Sequence, residues 1–301
     1  MLALIDTDPG IDDALALLFA WGSTDLRLAA ITTVAGNVTL ADATRNLLRL
    51  LTLRRVEPRP PVAAGAAAPL GRPLVTATGY HGADGLGDLD DWPPVERGLA
   101  PPGASALIAD TARGAPEPLT LVALGPLTNV ALALEHDADA VRRLARLVVM
   151  GGAVDVPGNV TPDAEFNIHV DPEAAARVLA AGLPLDLVPL DATRQAVLSR
   201  ADLEAALRRR PGPVAERVAA FTRHGFRVDA RRGTAGMVLH DPLAVAAALD
   251  PTLVGWQAAR LAIGPDGQTR RVEGPANCRV ARTVDVGRFL ALFLERLCPA
   301  S

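Results

Sequence analysis

Short apolar runs alternate along most of the chain with segments whose apolar residues recur every three to four positions. The short runs predict buried strands, and the periodic segments predict amphipathic helices. Strands are predicted over residues 2–5, 26–34, 62–64, 119–124, 144–150 and 185–189. Helices are predicted over residues 12–21, 40–53, 127–136, 172–181 and 203–209. This alternation predicts an α/β, Rossmann-like fold with a mainly parallel central sheet covered by helices.

The pattern changes towards the C-terminus, where strands are predicted to follow one another. Residues 253–263 and 279–284 indicate added strands, and residues 286–297 a final helix. Two segments, 79–97 and 153–171, show no clear periodicity, and long segments of this kind are often functional. Because α/β folds of this size often form one unit, we expect a single domain over residues 1–301.

Composition and charge narrow the class of protein without indicating its chemistry. Half of the 301 residues are hydrophobic, which is enough for a large buried core. The formal net charge of -4 gives no indication of binding to nucleic acid or to an anionic membrane. Two cysteines, Cys278 and Cys298, are too few for a disulfide framework. Since neither a signal-peptide pattern nor an apolar run of about 18 residues is evident, we expect a cytoplasmic protein.

Four aspartates stand within eight residues directly after the first predicted strand: Asp6, Asp8, Asp12 and Asp13. The ligand crevice of an open α/β sheet lies beyond the carboxyl ends of its strands. Carboxylates crowded there repel one another unless a cation sits among them, and their oxygens suit Ca²⁺ or Mg²⁺ better than zinc. Single members have structural alternatives, because Asp12 and Asp13 favour a helix N-terminus and Asp6 or Asp8 favours a turn. The density of the cluster makes a metal site the preferred interpretation.

One cluster of this kind cannot complete the six- to eight-oxygen shell of calcium, so further ligands must come from elsewhere. The best candidate is Asp241 in the segment His240-Asp241-Pro242. An aspartate followed by proline is equally typical of an ordinary helix N-cap, and both interpretations stay open at this position.

Several motifs in order along the chain carry a more specific signal. They are Asp6-Thr7-Asp8-Pro9-Gly10-Ile11-Asp12-Asp13-Ala14, Thr32-Thr33-Val34-Ala35-Gly36-Asn37, His81-Gly82 with Gly85, Ala123-Leu124-Gly125-Pro126-Leu127-Thr128-Asn129, Met150-Gly151-Gly152, Gly158-Asn159, Ala164-Glu165-Phe166-Asn167, Asp171-Pro172-Glu173-Ala174 and His240-Asp241-Pro242-Leu243-Ala244-Val245. Together they resemble the inosine–uridine-preferring nucleoside hydrolase family over nearly the whole chain. The resemblance implies Ca²⁺-dependent hydrolysis of the N-glycosidic bond of ribonucleosides, which releases ribose and free base.

The resemblance also implies roles for the matching positions. Asp8, Asp13, Asp241 and the backbone carbonyl of Thr128 would bind Ca²⁺, and Asp8 would in addition deprotonate the attacking water. His240 would protonate the leaving base, since histidine titrates near neutral pH without assistance. The substrate-binding positions would be Asp12, Asn159, Glu165 and Asn167 at the ribose hydroxyls, Asn37 and Met150 beside the sugar, Phe166 between Glu165 and Asn167, and His81 facing the base.

Some of these residues have plausible structural roles instead. Asn37 after a glycine is typical of a turn, and Thr128 is typical of a helix start. Glu165 and Asn167 are equally consistent with a buried loop anchor, and His81 is the weakest of the set. The chain also departs from the family pattern, because relatives often carry tyrosines before the His-Asp-Pro motif. Here the only tyrosine is Tyr80.

Two other functions compete with nucleoside hydrolysis. A Mg²⁺-dependent phosphohydrolase of the haloacid dehalogenase type also places aspartates after its first strand, but it commonly needs a lysine, and this chain has none. A non-catalytic nucleoside or ribose binder is the second alternative. The resemblance further implies purine or pyrimidine salvage and a homodimer or homotetramer, with no nucleic-acid or membrane partner.

Overall fold

The computed structural model describes residues 1–95 and 103–298. Its strands are β1 (Leu2–Thr7), β2 (Arg27–Thr33), β3 (Val62–Ala64), β4 (Leu119–Ala123), β5 (Arg146–Met150), β6 (Leu185–Val188), β7 (Val197–Leu198), β8 (Met237–Val238), β9 (Val254–Ala259), β10 (Leu261–Ile263), β11 (Thr269–Arg271) and β12 (Cys278–Val284).

The helices within those same residues are α1 (Ile11–Trp21), α2 (Leu40–Arg54), α3 (Thr78–His81), α4 (Ala104–Gly114), α5 (Thr128–Val141), α6 (Phe166–Val170), α7 (Pro172–Ala180), α8 (Leu190–Thr193), α9 (Arg200–Arg209), α10 (Pro213–Arg231), α11 (His240–Leu249) and α12 (Val286–Leu297). A 3₁₀ turn, Pro251–Leu253, precedes β9. Across residues 1–95 and 103–298, we find no helix that is both long and apolar enough to cross a bilayer.

Eight strands form one sheet in the order β3-β2-β1-β4-β5-β6-β12-β9. All neighbours pair in parallel except β9, which runs antiparallel to β12 at the edge. The predicted fold class, including the added C-terminal strands, is therefore confirmed. The predicted strand over residues 253–263 is divided in two, because β9 joins the main sheet whereas β10 pairs with β11 in a separate hairpin.

The core lies on both faces of this sheet. Alternate residues of β1 point to opposite faces, so Ile5 packs with one cluster and Leu4 chiefly with the other. The first cluster includes α1, whose residues from Ile11 to Ala20 are all buried. A helix without a polar face must be covered all round, and α1 lies against α10, α11 and α12 as well as the sheet. This packing fixes the N-terminus of α1 at the carboxyl end of β1.

Within residues 1–95 and 103–298, six helices were not predicted from the sequence: the short α3, α6 and α8, and the longer α4, α10 and α11. The longest is α10, whose buried residues Ala215, Val218, Thr222, Phe226 and Asp229 recur every three to four positions. Polar members within this stripe obscured its periodicity. The segment 79–97, predicted as irregular, contributes His81 and Tyr80 to α3, and its residues 96 and 97 lie outside the described residues.

Candidate active site

A cavity of about 350 Å³ lies where the parallel strands end at their carboxyl edge. This volume is within the range of small-molecule sites. Ten of the residues predicted from the sequence line it: Asp12, Asn37, His81, Met150, Asn159, Glu165, Phe166, Asn167, His240 and Asp241. The topology therefore brings together side chains that lie more than 200 residues apart in the sequence.

Three carboxylates meet at one side of the cavity. Asp12 and Asp13 lie in the first turn of α1, Asp241 lies in the first turn of α11, and one oxygen of each falls within 4.8 Å of the others. Burial, followed by the charge of Asp13, raises the pKa of Asp12 to about 8. Burial and the neighbouring Asp12 raise the pKa of Asp241 as well. Mutual repulsion of this kind is relieved when a cation binds between the carboxylates.

Asp8 lies behind this group and does not line the cavity, although the sequence predicted it as a ligand. Its side chain is fully buried, and Oδ2 accepts a hydrogen bond from the Asn37 backbone N–H at 2.6 Å. Its Oδ1 is buried without a hydrogen-bond partner. Burial and the charge of Asp13 raise the pKa of Asp8 well above its ordinary value. A buried oxygen without a donor fits a role as metal ligand or proton acceptor.

Asp13 lies at the helix start and also belongs to the group of three carboxylates beside the cavity. Its carboxylate accepts from the Gly10 backbone N–H at 3.0 Å, which caps α1, and from the Thr7 hydroxyl at 2.5 Å. Asn37 donates to it through Nδ2 at 2.9 Å. Asn37 thus orients two carboxylates, Asp8 and Asp13, and is more than a turn residue. Asp241, in contrast, does not cap its helix, because the residue at the N-cap position of α11 is Leu239.

Thr128, whose backbone carbonyl was expected to bind the metal, does not line the cavity. It is the first residue of α5, and its hydroxyl donates to Asp171 at 2.6 Å. A carbonyl in the first turn of a helix is directed along the helix axis to the N–H four residues on. Leu124, just beyond β4, lines the cavity instead, and its carbonyl accepts from Asn167 Nδ2 at 2.7 Å.

The segment between β5 and α7 supplies the opposite wall. Glu165 caps α6, and its buried carboxylate accepts from the backbone N–H groups of Gly152, Asn167 and Ile168. It is thus a loop anchor as well as a cavity residue, and burial raises its pKa. Because the amide nitrogen of Asn167 is held by the Leu124 carbonyl, its amide oxygen is the group left for a ligand.

Asn159 and Phe166 complete this wall beside Met150. Asn159 is exposed, and its Oδ1 accepts from the Phe166 backbone N–H at 3.0 Å. Phe166 is half-buried and lines the cavity, as does Met150 at the end of β5. The segment predicted to be irregular over 153–171 is therefore ordered around the site by its own hydrogen bonds.

His81 is held against the N-terminus of α1. Its Nδ1 accepts from the Ile11 backbone N–H at 3.0 Å, so its single proton in the neutral form is on Nε2. Burial lowers the pKa of His81 to about 4, which keeps the ring neutral at physiological pH. A Cβ at Gly10 would approach this ring to 2.5 Å, and therefore glycine is required there.

His240 faces the cavity from the first residue of α11. Its Nδ1 lies 2.8 Å from the Thr193 hydroxyl, which fixes the orientation of the ring. Burial, followed by the positive charge of Arg194, lowers the pKa of His240 to about 3. The imidazole is therefore neutral in the ligand-free cavity.

Tyr80 and Arg232 also line the cavity, although neither was predicted from the sequence as a site residue. Tyr80 lines the cavity beside His81, with ring centroids 4.8 Å apart, and the Arg232 guanidinium lies 5.1 Å from the Tyr80 ring centre. The position of Tyr80 next to His81 was an available signal. Arg232 had none, because arginines are abundant throughout the chain.

Known proteins share sequence and fold with this chain. The family described as inosine-uridine preferring nucleoside hydrolase matches residues 3–291. A non-specific ribonucleoside hydrolase, RihC, of Salmonella agona is 42% identical over 298 residues, which cover 95% of this chain and 94% of the relative. A purine-preferring ribonucleoside hydrolase from Gardnerella vaginalis has a TM-score of 0.93 at 31% identity, over 99% of this chain and 98% of that one. A plant nucleoside hydrolase, PpNRh1, has a TM-score of 0.90 at 33% identity, over 99% of both chains.

Proposed function

Because the chain belongs to the inosine–uridine-preferring nucleoside hydrolase family and is thus a hydrolase acting on N-glycosyl bonds of ribonucleosides, we propose that it does so with Ca²⁺. The observation that carries this proposal is the set of buried carboxylates with one unpartnered oxygen, Asp8 Oδ1, beside a cavity of nucleoside size. Family membership excludes the haloacid dehalogenase alternative and argues against a non-catalytic binder.

The donor set supports calcium as the metal. All candidate ligands are oxygens, which calcium and magnesium prefer, and calcium accepts the irregular geometry that carboxylates from two helices provide. We propose Asp8, Asp13 and Asp241 as side-chain ligands. The carbonyl of Leu124 is a better fourth candidate than that of Thr128, because Leu124 lines the cavity. When bound, Ca²⁺ would supply Lewis-acid assistance to the ionisation of water.

The ribose would lie between the carboxylates and the wall formed by the segment before α7. Asp12 lines the cavity, so its carboxyl group is accessible to a ribose hydroxyl and can accept from it once a cation favours the ionised form. Glu165, Asn159 and Asn167 would bind the hydroxyls from the other side. Asn37 and Met150 border the sugar, and Phe166 covers it.

Hydrolysis then requires two proton movements. Water attacks C1′ of the ribose and loses a proton to Asp8 Oδ1, while the bond from C1′ to the base nitrogen breaks. The transition state is oxocarbenium-like, and the amide oxygen of Asn167 is suited to stabilise its positive charge. The departing base takes up a proton, which gives free ribose and neutral base.

His240 is our candidate for the donor of that second proton. Its pKa of about 3 in the ligand-free cavity leaves the ring neutral, so as negative charge develops on the base the ring takes up a proton from solvent and passes it to the base nitrogen. The proton accepted by Asp8 returns to solvent, which balances the two proton movements. His81, with its proton on Nε2, is placed to donate a hydrogen bond to the same base. Both histidines line the cavity, and both lie on segments other than those that would hold the sugar.

A panel of ribonucleosides assayed for released ribose tests the proposal. We expect turnover of at least one purine or pyrimidine ribonucleoside, loss of that turnover after chelation, and recovery on addition of Ca²⁺. Recovery with zinc or iron in place of calcium would contradict the choice of metal. A homodimer or homotetramer, a cytoplasmic location and a role in salvage stay predictions.

A further inference from the structure

The carboxylate of Asp229 joins three separate segments at one end of the cavity. Asp229 lies near the end of α10 and is 4% exposed. Its Oδ2 accepts from the Tyr80 hydroxyl at 2.8 Å and from the Val238 backbone N–H at 3.2 Å. Tyr80 belongs to α3 and Val238 to β8, so one side chain connects α3, α10 and β8.

Each of the connected segments carries a residue that faces the proposed base site. His81 directly follows Tyr80, and His240 comes two residues after Val238. Arg232 directly follows α10 and lies over the Tyr80 ring. The sugar-facing residues Asn37, Met150 and Asn167, in contrast, lie on other segments, so the base end of the cavity has its own set of supports.

The hydrogen bond between the Tyr80 hydroxyl and the Asp229 carboxylate is buried, and its acceptor is an ionisable group. Burial raises the pKa of Asp229, while the bonds from Tyr80 and Val238 lower it. Burial also raises the pKa of the Tyr80 phenol, so the hydroxyl stays protonated and donates. Hydrogen bonds to a buried charged group are worth more than neutral ones, and loss of one donor leaves the carboxylate under-satisfied.

We propose that Tyr80 is a positioning residue for the base end of the site, and that its hydrogen bond to Asp229 holds His81 and His240 in place around the leaving group. The proposal rests on the proposed function, because it assumes that the two histidines face the base. It places an aromatic residue, Tyr80, at the base end of the site, contributed by α3 and not by the helix before the His-Asp-Pro motif. The phenol hydroxyl, not only the ring, is then needed.

The variant Tyr80→Phe removes this hydroxyl and keeps the ring. We expect kcat/KM for natural ribonucleosides to fall by about 10- to 100-fold, the range that corresponds to one hydrogen bond to a charged group. Nitrophenyl riboside needs no proton on its leaving group, so we expect its kcat/KM to change by less than about 3-fold. Equal losses on the two substrates would overturn the positioning role.

Two controls separate this hydrogen bond from general damage to α10. Thr222→Val removes a buried hydroxyl within α10, which donates to the Val218 carbonyl and does not line the cavity. This variant should leave kcat/KM for both substrates unchanged. Asp229→Leu removes the acceptor and should lose at least as much as Tyr80→Phe, and the double variant should lose little more than Asp229→Leu alone, because both changes remove the same contact. Additive losses in the double variant would contradict the shared contact.

Hydrogen exchange tests the contact without any catalysis. In Tyr80→Phe we expect faster amide exchange over residues 76–82 and 233–239 together, with no change in Thr222→Val. Unchanged exchange in Tyr80→Phe would overturn the proposal even if the wild-type enzyme proved inactive on nucleosides. Conversely, linked exchange in an enzyme that releases no ribose would contradict the proposed function and leave the Tyr80–Asp229 connection supported.

Discussion

Two buried aspartates, Asp8 and Asp171, show how one residue type serves reaction or fold according to its partners. Asp171 has both oxygens bound, to the Thr128 hydroxyl, the Leu70 N–H and the Ala174 N–H. Asp8 keeps Oδ1 without a hydrogen-bond partner among other carboxylates.

We expect Asp8→Asn to lower turnover by about 10²–10⁴-fold, because the proton acceptor is lost. Its metal-free melting temperature should rise, because burial raises the pKa of Asp8 and the group therefore costs stability at neutral pH, where the unfolded chain would ionise it freely.

Asp171→Asn is the matched control for that variant. An amide group cannot accept at both ends, so at least one of the three donors loses its partner, at a cost of about 1–3 kcal/mol. Calorimetry should therefore show a lower melting temperature for Asp171→Asn and a higher one for Asp8→Asn. A fall in both melting temperatures would mean that Asp8 serves the fold, and a near-normal kcat in Asp8→Asn would remove it from the reaction.

His240 is the residue whose chemical role is easiest to separate from binding. We expect His240→Ala to slow natural ribonucleosides at least about 10²-fold more than nitrophenyl riboside, because only the natural base needs a proton. Steady-state kinetics on both substrates checks this expectation. Equal losses would mean that His240 only shapes the cavity or supports Asp241. Thr193→Val, which removes the hydroxyl beside Nδ1, should show the same substrate preference to a smaller degree.

At the scale of elements, the ends of β1, β2 and β4 approach so closely that side chains are excluded between them. A Cβ on Gly125 would collide with Asp8 Oδ1 and would lie 2.9 Å from Val34 Cγ1. We expect Gly125→Ala to lose at least about 10²-fold in kcat, because Asp8 must move from its position. Gly114→Ala at the end of α4 is the control, since nothing lies within 4 Å of its Cβ and activity should be unchanged. Full activity in Gly125→Ala would contradict the fixed position of Asp8.

The elements that could be predicted from the sequence are those whose apolar pattern is visible within the element itself. The buried parallel strands and α1 have continuous apolar runs, so their type and approximate position follow from the pattern. In α10 the stripe contains Gly225, where a Cβ would lie 2.8 Å from Met237 Sδ, and Asp229, which binds Tyr80. Those residues are set by distant partners, and no local pattern reveals such a constraint.

The residues of the candidate site also fall into two groups, those that the sequence could predict and those that only the fold brings together. Carboxylates and amides in the helix starts beyond the strands, such as Asp13 in α1 and Asn167 in α6, were predicted because their residue type carries the chemistry. A backbone carbonyl has no signature in the sequence, so the sequence could not distinguish the carbonyl of Thr128 from that of Leu124, which lines the cavity. The contribution of Tyr80 depends on a hydrogen bond between residues 149 positions apart, which only the fold brings together.

At the scale of the whole molecule, the buried carboxylates should link stability to metal and pH. Burial raises the pKa of Asp12 to about 8, and the pKa values of Asp8 and Asp241 are raised as well. The folded protein then binds more protons than the unfolded chain between about pH 4 and pH 8, so metal-free stability falls as pH rises. His81 and His240 have lowered pKa values and act in the opposite direction, but only below their unfolded value of about 6.5.

Melting temperatures measured at pH 7 and pH 8.5 therefore report on the carboxylates without a contribution from the two histidines. Without metal, we expect a lower melting temperature at pH 8.5 than at pH 7. Because Ca²⁺ binds the ionised carboxylates, its Kd should be lower at pH 8.5, and one fixed calcium concentration should stabilise the protein more at pH 8.5 than at pH 7. A concentration of 100 times the Kd at pH 8.5 should add about 2.7 kcal/mol at that pH and less at pH 7. Asp241→Asn, which removes one proposed ligand and one repelling charge, should show a smaller pH effect and a weaker response to calcium. A calcium-induced shift that is equal at both pH values would mean that the cation does not bind at these carboxylates.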